Sequence, residues 1–143
     1  MRAQLAAIVL VGSTLFAGCS SKNHASGAAG ETASIREVGV AEVATFVRNK
    51  SATIVDANGA DTRKEFGVIP GAVLLASSKD YAVDVLPSAK ASKLVFYCGG
   101  VMCRASDKAA ARAAAAGYTD VSVLRDGIKG WKNAGQPTEM PRS

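Results

Sequence analysis

Residues 93–118 read as a strand, a loop and a helix in immediate succession, the order from which βαβ units are built. "KLVFYC" (93–98) is short, apolar, and rich in β-branched and aromatic side chains, the pattern of a strand covered on both faces. "GGVMCR" (99–104) follows, and "ASDKAAARAAAAGY" (105–118) then reads as a helix stopped at Gly117. Its run of alanines allows close approach of the helix to a sheet. A helix that leaves the end of one strand returns the chain to the sheet's other end, so the next strand runs parallel.

The same alternation continues through the chain. "SIREV" is a short first strand, and Val40, Val43, Ala44 and Val47 recur at helical spacing, which predicts a helix over 40–48. "ATIVDAN" is a buried-strand pattern with Asp56 at its end. "DTRKEF" suits a helical turn before Gly67. Pro70-Gly71 makes a turn, and Ala72 to Leu75 a further strand. "KDYAVDVL" reads as a short helix stopped by Pro87. "DVSVL" is the last strand, and "GIKGWKNAG" the last helix, ended by Gly135 and Pro137. The expected fold class is α/β, with about five short strands in one mainly parallel sheet and helices on both faces. In such sheets ligands sit beyond the carboxyl ends of the strands, where Cys98 falls.

The 143-residue chain suits one domain, and its N-terminus carries a different signal. Met1-Arg2 and the apolar stretch Leu5 to Ala17 have the shape of a secretory signal, too short for a permanent span. The stretch ends in "LFAGC", which resembles a bacterial lipobox with Cys19 as the lipidated residue. Phe16 stands where a small or branched apolar residue is commoner. The expected organisation is a lipoprotein-type signal peptide at 1–18, a small, polar, flexible tether at 19–34, the domain at 35–138 and a tail at 139–143. This implies export and a periplasm-facing membrane anchor, with Ser20 suiting outer-membrane sorting. The net charge is +5, yet no basic run exceeds Arg63-Lys64, so the chain lacks a nucleic-acid footprint.

The loop restricts the chemistry. Zinc takes four ligands, or three and a water, whereas the domain offers two cysteines and no histidine; His24 lies in the tether. Hydrolysis by a cysteine–histidine pair fails for the same lack of a base. A cysteine nucleophile ionised by its loop needs neither. Gly99, Gly100, Val101, Met102, Cys103 and Arg104 would direct backbone N–H groups at Cys98 and at an anionic substrate, with the glycines permitting positive φ. The following helix N-terminus would favour the thiolate, and Arg104 would supply a forked cation.

These segments resemble the rhodanese-like single domains over about residues 35–138. "TIVDAN" resembles the family's "VDVR", "GVIPGAVLL" its "GHIPGAVNI" with Val68 in place of histidine, and "LVFYCGG" the strand into the active loop. "VSVLRDGIKGWKNAGQP" resembles the closing "V..L.GG...W...G.P", with Gly127, Gly130 and Trp131 in register. The resemblance implies a sulfurtransferase with Cys98 as catalytic residue. Cys98 takes the outer sulfur of an anionic donor such as thiosulfate, holds it as a persulfide and passes it to a thiophilic acceptor, thiol or protein. No metal or organic cofactor is implied. Asp56 matches the strand-end acid as a structural acceptor. Asn58 stands where arginine is common in the family, a loss that Arg63 or Arg36 would compensate.

The loop departs from the family pattern. Five residues separate Cys98 from Arg104, where four is common, and C-x5-R resembles the related phosphatases and arsenate reductases. Cys103 lies inside it, as a packing residue or as a resolving thiol that closes a disulfide with Cys98. A thiol redox protein, a non-catalytic binding domain and a phosphatase-like enzyme therefore stand as alternatives.

Overall fold

The computed structural model describes residues 34–141, so Cys19, the signal segment and nearly all of the tether lie outside the described residues. Five strands form one parallel sheet in the order β1-β5-β4-β2-β3: β1 Arg36–Val38, β2 Thr53–Asp56, β3 Val73–Leu74, β4 Leu94–Tyr97 and β5 Val121–Leu124. Three helices connect strands, α1 Val40–Asn49, α2 Ala60–Phe66 and α3 Ala105–Ala115, and α4 Gly127–Asn133 follows β5.

Alternation along the central strands divides the core into two layers, because successive side chains of a strand point to opposite faces. Val55, Phe96, Val121 and Val123 pack on one face with Ala109, Ala110 and Ala113 of α3. Ile54, Val95, Tyr97 and Leu124 pack on the other with Val43 and Ala44 of α1 and Ile128 and Trp131 of α4. Burying both faces explains why β4 and β5 are buried at every position.

Two boundaries differ from the sequence reading. The helix expected over "KDYAVDVL" is a single 3-10 turn, Val83–Val85. Tyr81 and Leu86 both enter the same core layer; five residues apart, they cannot share one face of an α-helix. Tyr81 is held there by its hydroxyl, which donates to the Ala109 carbonyl at 2.9 Å. At the C-terminus, Glu139 belongs to the fold rather than to a tail. Its backbone exchanges hydrogen bonds with Val68 at 2.8 and 2.9 Å, and its carboxylate accepts from the Gly71 N–H at 3.1 Å.

Candidate active site

β4 ends at Tyr97 in the middle of the sheet, which leaves Cys98 at its carboxyl end between β2 and β5. Cys98 is 2% exposed. Its Sγ lies 3.3 Å from both the Cys103 carbonyl oxygen and the Ser106 hydroxyl, and so rests against the first turn of α3. Of these neighbours, the hydroxyl is the one that can donate to a thiolate. The Sγ atoms of Cys98 and Cys103 are joined as a disulfide, with Cα atoms 6.2 Å apart, within the span a disulfide bridges.

The loop is shaped from the opposite side by α4. The N–H groups of Ile128 and Lys129 donate to the carbonyls of Cys98 (2.8 Å) and Gly99 (3.2 Å). In a trans peptide the carbonyl and the next N–H point in opposite directions. Drawing these carbonyls toward α4 therefore turns the Gly99 and Gly100 N–H groups away from it. The Cys103 N–H closes a turn on the Gly100 carbonyl at 2.8 Å. The N–H groups of Gly99, Gly100, Val101 and Met102 make no hydrogen bond among the described residues. They border a cavity of about 330 Å³ lined by Gly99, Gly100, Val101, Met102, Cys103 and Lys129.

The glycine requirement falls elsewhere than expected. Gly99 and Gly100 are not among the positive-φ residues, whereas Gly127 has φ +60°. A Cβ at Gly127 would collide with the Cys98 carbonyl oxygen and approach Gly100 N at 2.6 Å and Gly99 C at 2.8 Å. The loop thus takes its shape from the close approach of α4, and not from left-handed turns of its own.

Arg104 occupies the position before α3. Its side chain is 71% exposed and pairs with Asp107 at 3.3 Å. Asp107 is also bound by Arg125 at 2.8 Å, and Arg125 reaches Glu37 at the same distance; these two carboxylates raise the Arg125 pKa. Arg104 therefore lies on the flank of α3, and Lys129 of α4 is the cation that lines the cavity. Met102 is exposed at the loop tip.

Asp56 ends β2 fully buried. One carboxylate oxygen accepts from the Asn58 N–H at 2.7 Å and from Arg63 Nε at 3.1 Å. Arg63 also donates to the carbonyls of Asp56 (3.1 Å) and Leu75 (2.9 Å), which ties α2 to the ends of β2 and β3. Of the two arginines named from the sequence, Arg63 is the one that reaches Asp56. Arg36 pairs instead with Glu42 at 2.8 Å on the sheet edge. Asn58 is buried, with its Nδ2 unpartnered among the described residues and its Oδ1 near the Gly99 backbone. Tyr97, the residue before Cys98, accepts from the Ile69 N–H at 3.0 Å. Burial raises its pKa, with Asp56 adding to the shift.

Sequence reasoning missed Ser106 and Lys129. A signal for Ser106 was present. Ser106, Ala109, Ala110 and Ala113 are the buried residues of α3, at i, i+3, i+4 and i+7. A serine on that stripe is the one polar group the helix turns inward. Lys129 carried no such signal, since its placement depends on how α4 docks.

A parallel α/β sheet with a cysteine loop at its carboxyl edge, gripped by the helix after the next strand, defines a class of cysteine-loop domain. The model of the rhodanese-like domain family matches residues 39–134, and the chain belongs to that family. Similar solved structures include a protein of unknown function from Rhodopseudomonas palustris, described as a possible tyrosine phosphatase. It is 24% identical, with a TM-score of 0.61 over 73% of this chain and 85% of that one. A rhodanese-like domain from an Anabaena protein is 20% identical, with a TM-score of 0.55 over 73% and 78%. A rhodanese-related protein from Thermoplasma volcanium is 20% identical, with a TM-score of 0.52 over 71% and 95%. These likenesses concern the fold. No curated protein matches the chain.

Proposed function

We propose that the domain is a sulfurtransferase that carries sulfane sulfur as a persulfide on Cys98. The observation that supports this reading best is the loop itself. Gly99 to Met102, whose N–H groups are unengaged among the described residues, line a small cavity beside a cysteine seated on a helix N-terminus. Such a site stabilises sulfur anions without a histidine base. The Cys98 thiolate attacks the outer sulfur of thiosulfate, the S–S bond breaks and sulfite departs. The loop amides and Lys129 hold the anionic donor, and a thiophilic acceptor takes the sulfur in a second step. Sulfite release from thiosulfate by the reduced protein tests this reading. Wild type is expected to release it and Cys98→Ser to release none; equal release from both would remove Cys98 from the mechanism.

The Cys98–Cys103 disulfide favours a second reading, a thiol redox protein that exchanges a disulfide with partner dithiols. Disulfide exchange without sulfite production would select it. The phosphatase-like alternative draws less support, because Arg104 pairs with Asp107 on the flank of α3 and not over the loop.

The "LFAGC" stretch carries an accompanying proposal of export and lipid anchoring at Cys19, with the domain on a tether facing the periplasm. Cys19→Ala is expected to move the protein out of the membrane fraction. Retention there would refute the anchor.

A further inference from the structure

We propose that Cys103 makes the domain its own sulfur acceptor, so that it reduces sulfane sulfur to sulfide. The inference rests on the sulfurtransferase reading above. The Cys103 thiolate attacks Sγ of the Cys98 persulfide, the bond between Sγ and the outer sulfur breaks, and hydrosulfide leaves with the electron pair. The Cys98–Cys103 disulfide closes as it departs. The two cysteines supply two electrons to the sulfane sulfur and are themselves oxidised to the disulfide.

Three features of the site lead to this step. The turn closed by the Cys103 N–H on the Gly100 carbonyl fixes Cys103 above Cys98, and their sulfurs are within bonding reach. Cys98 is almost wholly buried with Cys103 seated against it, while Cys103 is only partly buried, so Cys103 is better placed than an external thiol to reach its Sγ. An intramolecular attack also starts with its reactants already oriented, an advantage no free thiol shares.

The same exposure difference sets the return step. A dithiol reductant, protein or small molecule, attacks the accessible sulfur of Cys103. Cys98 leaves as the thiolate, beside the Ser106 hydroxyl that can donate to it. The second thiol of the reductant then resolves the mixed disulfide and restores Cys103. Over one cycle, thiosulfate and a dithiol become sulfite, hydrosulfide and a disulfide of the reductant. The oxidised domain cannot load sulfur, so the supply of reducing equivalents gates turnover.

The test begins with fully reduced protein, freed of reductant and given thiosulfate with no added thiol. Wild type is expected to yield about one sulfite and about one hydrosulfide per protein and to finish two hydrogens lighter than the reduced form. Cys103→Ser and Cys103→Ala still yield sulfite, but their hydrosulfide falls at least roughly tenfold and they gain the mass of one sulfur atom. Sulfite without hydrosulfide from wild type, or equal hydrosulfide from wild type and variants, would overturn this inference alone. No sulfite from any of the three would overturn the sulfurtransferase reading beneath it, and this step with it. In a second arm, oxidised wild type is treated briefly with limiting dithiol and quenched in acid. A mixed disulfide mapped to Cys103 is expected; one mapped to Cys98 contradicts the proposed order of attack.

Discussion

Gly127 holds a positive φ and lets the backbone of α4 touch the backbone of the cysteine loop. Gly127→Ala would incur a left-handed backbone strain of about 1–3 kcal/mol and force the loop away from α4. The bonds from Ile128 and Lys129 to the loop carbonyls would lengthen, and the Gly99 and Gly100 N–H groups would lose the orientation those bonds impose. Sulfite release is therefore expected to fall further than stability, measured by denaturant unfolding and thiosulfate turnover on the same protein. Ser106 works at shorter range, as the hydroxyl 3.3 Å from the Cys98 sulfur. Ser106→Ala keeps a good helix former on the buried stripe, so the fold should be little altered. The loss of a hydrogen bond to a charged sulfur predicts sulfur loading slower by roughly tenfold. A loading rate equal to wild type would make Ser106 a packing residue.

At the level of elements, Arg63 joins three pieces of backbone. It lies in α2 and reaches the ends of β2 and β3, and its partner Asp56 has no exposure. Arg63→Ala would leave a buried carboxylate uncompensated, a loss of about 3–5 kcal/mol. Asp56→Asn in that background removes the stranded charge and is expected to restore part of the stability. Chemical denaturation of the two variants beside wild type measures both effects. A double variant no more stable than Arg63→Ala would assign the loss to the backbone hydrogen bonds instead. The two-residue strand β3 has few ladder bonds of its own, so its position beside β2 depends on this arginine.

For the whole molecule, both faces of the sheet are sealed by helices, and buried tyrosines make that seal sensitive to alkali. Burial pushes the Tyr81 pKa up from 10.0 to about 12, with Arg112 opposing the shift. The neutral phenol is the form the fold favours. Its contribution is complete below the unfolded value and is lost as pH rises through the window from 10.0 to about 12. Tyr81→Phe removes the hydrogen bond to Ala109, at a cost of about 1 kcal/mol near neutrality. It should also flatten the alkaline decline in this window. Urea midpoints collected across the window check the prediction, and parallel curves for wild type and variant would contradict it.

The parallel α/β architecture and the placement of Cys98 at a strand end were legible in the sequence. Both follow from local patterns: buried β-branched runs, helical spacing, and glycines and prolines that mark the joins. Ser106 was legible in principle, as a polar residue on an apolar helical stripe. The tertiary structure alone decided the rest of the site. The grip of α4 on the loop, the need for glycine at 127 and the seat of Lys129 depend on how two segments about thirty residues apart meet across β5. Arg63 and Arg36 were both named from the sequence; Arg63 is the one that takes up Asp56, because α2 folds back over β2, a choice that no spacing encodes. Tyr81 and Leu86 reduce an expected helix to one turn because the core takes up both side chains. A single sequence records each residue's local preference, and packing between distant segments determines which of those preferences is realised.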